Sequence, residues 1–465
     1  MKKVFLINPP GGKPYLRDYY CSKVSKAGYL YHPVDLTFQS AVLRNRHRVG
    51  VIDAIAEKTG TESLLKKIAK EPPDAVLCLL SAVAWEEDRS FVRELRKRYR
   101  GLIAGTGDVF LEDPSDTLKE LPELDAALLD FTSPGFSDWV ENPEEVAVDM
   151  VVRRGDDITA GERSPKNGEF SIGMPQYDLF PANRYRYPFV RRKPFATVLT
   201  DFGCPYPCSF CIMNKIGYRT RPLDEVIEEL KWLKNAGYRE LYINDQTFGA
   251  SKNRAFKLLD MMRQAELDFG WVCFTRTDIL DHEMALAIKS AGCHTVMFGV
   301  ESADRGILET YKKGTGPEAA FKAREVCEKL NLRTVATFLI GFPEDTDETV
   351  EATVNLALQL DPDYASFNFA VPRRGTGLRK KELDMELADS DSYSMDQSGD
   401  NIAMPTKSLS TEELAEWKKK ALSKFYLRPG YVIKRMLNLK TTYEISTSIL
   451  GGMKVLGNVI LKNGS

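Results

Sequence analysis

The chain has 465 residues, 43% of them hydrophobic and 28% charged, with a formal net charge of -2. That composition supplies a sizeable core and excludes a chain disordered throughout. It provides no overall basic surface of the kind that gathers nucleic acid, so no nucleic-acid partner is expected.

Met1-Lys2-Lys3 runs into Val4-Phe5-Leu6-Ile7 and stops at Asn8-Pro9-Pro10, an apolar run too short for a secretory signal. No uninterrupted apolar stretch reaches the ~20 residues of a membrane span, so a cytoplasmic protein is expected. Residues 1–150 then alternate short apolar runs with amphipathic stretches. Strands are predicted at Lys3 to Ile7, Val49 to Ile52, Ala75 to Leu80, Leu102 to Ala104 and Ala126 to Leu129. Helices are predicted at Leu36 to Arg46, Glu62 to Ala69 and Trp85 to Tyr99. This alternation predicts a doubly wound, Rossmann-like parallel sheet, with binding sites beyond the carboxyl ends of its strands.

The stretch from Asn8 to Pro33 is far longer than the ~2–6 residues usual after such a strand. It carries Tyr15, Arg17, Asp18, Tyr19, Tyr29, Tyr31 and His32. A disordered insertion is one reading; its aromatic content favours a lid over a ligand or over the next domain. Residues 151–184 read as a connector, with turn signals at Gly155-Asp156-Asp157, Gly161 and Lys166-Asn167-Gly168 flanking short strand-like pieces.

Alternation resumes over 185–390. Strands are predicted at Ala196 to Thr200, Glu240 to Asn244, Trp271 to Thr275, Thr295 to Val300, Arg333 to Ile340 and Tyr364 to Val371, with helical patterns between them. Six such units make a partial (β/α)6 TIM-like barrel whose chemistry sits at the strand carboxyl ends. Residues 391–465 change character: Ser390 to Gly399 is rich in Ser, Asp and Gly, and a helical region follows. The tail Tyr426 to Lys462 mixes apolar side chains with Arg428, Lys434, Arg435, Lys440 and Lys454. A helix capping the barrel is the plain reading; peripheral contact with a membrane or a lipid substrate is the functional one.

Five of the eight cysteines are scattered, and Cys273 and Cys293 read as core thiols. The other three lie in Cys204-Pro205-Tyr206-Pro207-Cys208-Ser209-Phe210-Cys211, directly after the first barrel strand. These gaps let one loop wrap a cubane cluster, the prolines exclude a helix, and Gly203 allows close backbone approach. Structural zinc wants four ligands, and neither a second cysteine pair nor a nearby histidine is present. Three thiolates on a four-iron cluster leave one iron open.

The C-x3-C-x2-C pattern, with Phe210 before its last cysteine, resembles the radical S-adenosylmethionine (SAM) superfamily. The resemblance implies a [4Fe–4S] cluster on Cys204, Cys208 and Cys211, its open iron chelating SAM, and reductive cleavage to a 5'-deoxyadenosyl radical. Asp245, in Asn244-Asp245-Gln246-Thr247, stands where the family binds the methionyl amine, although the usual glycines are absent. Arg276 is placed for the SAM carboxylate or substrate. Glu301 and Ser302, in Gly299-Val300-Glu301-Ser302, match the ribose station. Leu339 and Gly341 belong to a G-x-I-x-G-x-x-E-like run with Thr337 replacing the first glycine; Pro372-Arg373-Arg374-Gly375-Thr376 resembles a further turn of one subgroup.

That subgroup carries a cobalamin-binding-type domain before the barrel. The runs Pro33-Val34-Asp35-Leu36 and Met174-Pro175-Gln176-Tyr177-Asp178 are similar to its sequence. There is no D-x-H-x-x-G, and Ala104-Gly105-Thr106-Gly107-Asp108 stands in place of a Gly-Gly-x-His, so histidine-ligated cobalt is not expected. The resemblance implies cobalamin-assisted C-methylation or radical rearrangement at an unactivated carbon of a small molecule or lipid, driven by an external low-potential donor such as flavodoxin or ferredoxin. A cobalamin-free oxidoreductase or cyclase with a vestigial domain, or a non-catalytic iron–sulfur or zinc protein, are the competing readings. No residue is assigned the catalytic step itself.

Overall fold

The computed structural model of the chain describes residues 1–19, 21–25, 28–387 and 402–460, with 214 and 453–460 by backbone alone. Two compact units form: residues 1–186 with 219–229, and residues 187–218 with those from 230 onward.

In the first unit, the strands Lys2–Asn8, His47–Asp53, Ala75–Leu79, Leu102–Thr106 and Ala126–Leu128 are parallel. The second lies on the far side of the first, and the others follow in order. Such strands are covered on both faces, so they read as continuous apolar runs; Ala75–Leu79 is buried at every position. The helices Thr61–Lys70 and Trp85–Arg98 turn Leu64, Leu65 and Ile68, and Phe91, Val92 and Leu95, into a core shared with Ile7, Val76 and Ile103.

The stretch expected as a connector differs from that expectation. Met150–Arg154 pairs antiparallel with Ala126–Leu128, and Asp157–Ala160 pairs antiparallel with it in turn. The sheet therefore ends in a hairpin. Gly155 supplies the positive φ of the turn, and the short, exposed outer strand blunts the edge. The strand-like pieces beside these turn signals thus extend the first sheet rather than merely link two domains.

The long stretch after the first strand is packed over that strand's carboxyl end. Tyr15–Leu16 pairs antiparallel with Lys23–Val24. The Arg17 guanidinium donates to Asp88 at 2.6 and 3.2 Å, to Asn8 Oδ1 at 2.9 Å and to the Pro9 carbonyl at 2.8 Å. The Ser22 and Ala82 amides donate to opposite oxygens of Asp108. Both members of the Arg17–Asp88 pair are buried, which an ion pair tolerates only with its hydrogen bonds satisfied.

In the second unit, Phe195–Val198, Glu240–Ile243, Gly270–Thr275, Cys293–Glu301, Arg333–Ile340 and Tyr364–Phe369 form a parallel sheet in sequential order. That is the order of a partial barrel. Its helices include Lys252–Gln264, His282–Ser290, Pro317–Lys329 and Asp347–Leu360. Cys273, Cys293 and Cys327 are buried. The helix Thr411–Tyr426 starts at a capping box of Ser410 and Glu413 and buries Leu414, Trp417, Ala421 and Phe425 at helical spacing. Pro429–Leu437 and Thr442–Ile460 follow. Ser390 to Gly399 lies outside the described residues. Among those described, no helix is long and apolar enough to cross a membrane.

Candidate functional site

The cysteine loop leaves the first strand of the second unit and is shaped by backbone contacts. Gly203 takes a φ of +84°, and a Cβ there would lie 1.9 Å from the Gly217 carbonyl oxygen. The next amide, Cys204, donates to that same carbonyl at 2.9 Å, and the Cys211 amide donates to the Cys208 carbonyl at 3.0 Å. Between them Ser209 is held from two sides: its amide donates to the Tyr311 carbonyl at 2.9 Å, and its carbonyl accepts from the Leu378 amide at 3.2 Å. The turn at Arg373 to Thr376 therefore has a local task, because Thr376 caps the helix that presents Leu378.

Around the thiols lie groups from successive strand ends. Arg276, just after Gly270–Thr275, brings Nη1 to 3.7 Å from Cys208 Sγ. Its guanidinium carbon lies 3.9 Å from the Tyr206 ring centroid, and its other nitrogens bond Asp278 and the Lys313 carbonyl. Cys204 Sγ lies 3.4 Å from Thr247 Oγ1. Burial pushes the Cys208 thiol up, while the Lys313 and Arg276 cations pull it down. Two cations acting on Cys208 suit a thiolate shared with a cluster. A cubane places each thiolate on a different iron, and three thiols spread along one loop fit that donor set.

Glu301 is set by an irregular backbone. The pairing register between Cys293–Glu301 and Arg333–Ile340 shifts between Gly299 and Glu301. Glu301 takes a φ of +69°, a left-handed conformation uncommon for a side-chain-bearing residue. Its carboxylate folds back so that a Cβ on Gly299 would meet Oε1 at 1.9 Å. Lys313 Nζ donates to Oε1 at 2.8 Å, with both side chains almost fully buried.

The remaining predicted residues fall in two places. Phe210 packs edge-on to Phe342, their centroids 5.8 Å apart, against a cluster that holds Leu339, Tyr311 and Leu378. The Gly341 amide donates to Asp345 Oδ2 at 2.8 Å. Ser302 Oγ accepts from the Asp304 amide at 3.1 Å, a turn-forming bond. Asp245 is buried at a strand end, and its oxygens accept from the Thr200 amide and hydroxyl at 2.6 and 2.5 Å and from the Asp201 amide at 3.2 Å. Burial pushes its acid up against the pull of those bonds. Asp245 thus fastens the strand that launches the cysteine loop.

Sequence reading missed Lys313, Tyr206, Thr247 and Tyr311. A buried lysine needs a partner, but nothing in Lys312-Lys313-Gly314 shows which lysine turns inward; Tyr311 acts through its carbonyl, which has no sequence signature.

Comparison with known proteins gives the family and the fold. The family model of the radical SAM superfamily matches residues 199–357. The chain is 30% identical over 413 residues to the uncharacterized methyltransferase PH0819 of Pyrococcus horikoshii, covering 86% of this chain and 89% of that one. It is 24% identical over 441 residues to the anaerobic magnesium-protoporphyrin IX monomethyl ester cyclase of Cereibacter sphaeroides, covering 90% of this chain and 67% of the cyclase. Among solved structures, the cobalamin-dependent radical enzyme OxsB, with aqua-cobalamin and SAM bound, superposes with a TM-score of 0.70 at 14% identity, over 100% of this chain and 75% of its own. The methyltransferase TsrM of Kitasatospora setae, with cobalamin and a [4Fe–4S] cluster, gives 0.63 at 19% identity, over 79% and 75%. The chain belongs to the radical SAM superfamily and has the fold of its cobalamin-dependent members.

Proposed function

We propose that this radical SAM enzyme binds a [4Fe–4S] cluster through Cys204, Cys208 and Cys211 and performs cobalamin-assisted C-methylation or radical rearrangement at an unactivated carbon of a small molecule. When bound, the cluster and SAM supply a 5'-deoxyadenosyl radical, and cobalamin supplies a carrier for methyl transfer. The observation that carries the reading is the clamped cysteine loop with Arg276 and the Glu301–Lys313 pair at the same strand ends.

The chain's own residues bind and orient. Ser209, held by Tyr311 and Leu378, fixes the direction of all three thiols. Arg276 is a cation beside Cys208, suited to a carboxylate of SAM or substrate. Glu301 offers two acceptor oxygens to a vicinal diol, with Lys313 holding its rotamer. Phe210, Leu339 and Phe342 give an apolar surface for a purine face and keep water from the reacting region. Electrons would come from an external low-potential donor of the flavodoxin or ferredoxin class.

For cobalamin, the carboxyl ends of the first unit's strands offer Thr106 Oγ1, buried without a hydrogen-bond partner. Such an atom costs about 1–3 kcal/mol when left unsatisfied, so a polar ligand edge there is favoured. The Arg17–Asp88 closure over the same strand ends favours a second reading, in which the unit no longer admits a corrin.

Iron, sulfide and corrin are measured in protein made anaerobically with hydroxocobalamin. About four irons and one corrin per chain support the first reading; about four irons without corrin select the second. 5'-Deoxyadenosine formed by the loaded enzyme disappears in Cys208→Ala. A fully loaded protein that forms none refutes both.

A further inference from the structure

The surface of the second unit carries a helix that is turned inside out. A helix on a water-soluble protein faces its apolar side chains inward. Pro429–Leu437 does the reverse. Tyr431 donates its hydroxyl to the Asp363 carbonyl at 3.0 Å, Lys434 pairs with Asp361 at 2.7 Å, and Arg435 stacks on Tyr364 with 4.1 Å to the ring centroid. Arg428 joins Asp361 at 3.0 Å. The opposite side is left to solvent, with Ile433 60% exposed, Met436 69% and Leu437 80%.

The next helix repeats the arrangement. Glu444 is buried and paired with Arg333, while Ile445 and Ile449, one turn apart, are exposed. Eight large hydrophobics are exposed between Leu427 and Leu450, against five in the rest of the described chain. So dense a patch marks an interaction surface.

Charge names the occupant. Between residues 427 and 452 the one acid in the sequence is Glu444, which is buried. Asp361, against the first helix, is partly exposed and is taken up by Arg428 and Lys434; further cations lie along the margin. Lys440 is exposed at the start of the second helix, and Arg192 is exposed beside Arg191, whose carbonyl accepts from Thr441. Lys193 lies over the Tyr443 ring. An apolar face with a cationic margin, whose partly exposed acid Asp361 is already paired with Arg428 and Lys434, matches the interface of an anionic bilayer, where acyl chains take the hydrophobics and headgroup phosphates take the remaining lysines and arginines. A self-associating face would bring the same cations against each other across a two-fold axis.

We infer that the face formed by Pro429–Leu437 and the start of Thr442–Ile460 docks the enzyme peripherally on an anionic lipid surface. This inference is independent of the reaction proposed above. The test is co-sedimentation of the full chain with phosphatidylcholine vesicles, with and without about one-third phosphatidylglycerol. Binding to the anionic vesicles is expected to exceed binding to the neutral ones at least tenfold and to weaken as salt shortens the screening length. A double variant, Ile433→Glu with Met436→Glu, changes solvent-exposed side chains only and should abolish binding with circular dichroism unchanged. A charge variant, Arg192→Glu with Lys440→Glu, should abolish the preference for phosphatidylglycerol. Failure of the chain to bind anionic vesicles overturns the inference, as does binding that either variant leaves intact. A wild-type dimer that the apolar variant turns into a monomer, with no vesicle binding, assigns the face to a second copy instead.

Discussion

His32 makes the acid stability of the first unit predictable. It is fully buried, its ring 4.3 Å from Tyr185, 5.4 Å from Tyr177 and 6.0 Å from Phe180 between centroids. Burial lowers its pKa from 6.5 to about 3. A histidine whose folded value is depressed contributes stability that is complete above its unfolded value and is lost as pH falls towards the folded one. The window therefore runs from about 6.5 down to about 3. At pH 5 the unfolded state takes up the proton and the folded state does not, costing about 1.5 × 1.36, or roughly 2 kcal/mol, relative to neutral pH. In urea, with a slope near 2 kcal/mol/M, that is a midpoint lower by about 1 M. His32→Phe keeps the aromatic contacts and removes the proton site. Urea unfolding of wild type and variant at pH 7.5 and 5 isolates the term, because the other titrating groups cancel in the difference. The variant should lose about 1 M less on acidification. Midpoints that fall in parallel refute the assignment of the acid sensitivity to His32.

Gly299→Ala would place a Cβ 1.9 Å from Glu301 Oε1 and displace that carboxylate. SAM affinity should fall by about tenfold or more, one good charge-assisted hydrogen bond, with iron content unchanged; an unaltered Kd by equilibrium dialysis removes Glu301 from the ribose site. Gly203→Ala forces a side chain into a φ of +84° against the Gly217 carbonyl. It should instead lower the iron loaded per chain, and full loading would show that the loop does not need that close approach. Arg276→Met removes the cation 3.7 Å from Cys208 Sγ. The cluster potential should move negative by on the order of tens of mV, because net charge beside a cluster sets its potential; spectroelectrochemical titration reads the shift, and no change places the guanidinium outside the cluster's field.

The elements were legible where burial is two-sided. Lys2–Asn8 and Ala75–Leu79 announce themselves as apolar runs because a parallel strand has no wet face. The pieces Met150–Arg154 and Asp157–Ala160 were legible only as short strand-like segments around a turn; that they extend the first sheet was not, because the outer strand is a short exposed edge. The stretch after the first strand was legible as an ordered segment from its aromatics. Its anchor was not, since the Arg17–Asp88 pair joins positions 71 residues apart. Asp245 shows the same limit in reverse. A carboxylate at a strand end looks available in sequence, and only the fold shows Thr200 and Asp201 donating to both its oxygens.

The candidate site carries this contrast furthest. Its three thiols are visible at once because a cluster must be bound by side chains of one kind at fixed gaps. The contacts that aim them are backbone contacts: Gly217 to Cys204, Tyr311 to Ser209, and Ser209 to Leu378. A carbonyl or an amide is present at every residue, so no residue type marks the ones that matter. What sequence retains is the glycine that close backbone approach demands. Gly203 lies under the Gly217 carbonyl, and Gly377, where a Cβ would fall 2.9 Å from that of Ser209, lies against the middle of the loop. Two glycines bracketing the same loop, one just before it in sequence and one brought from the end of the barrel, are the readable trace of a scaffold made of main chain. It follows that a single methyl group at Gly377 should move all three thiols, although every side chain that touches the loop is unchanged.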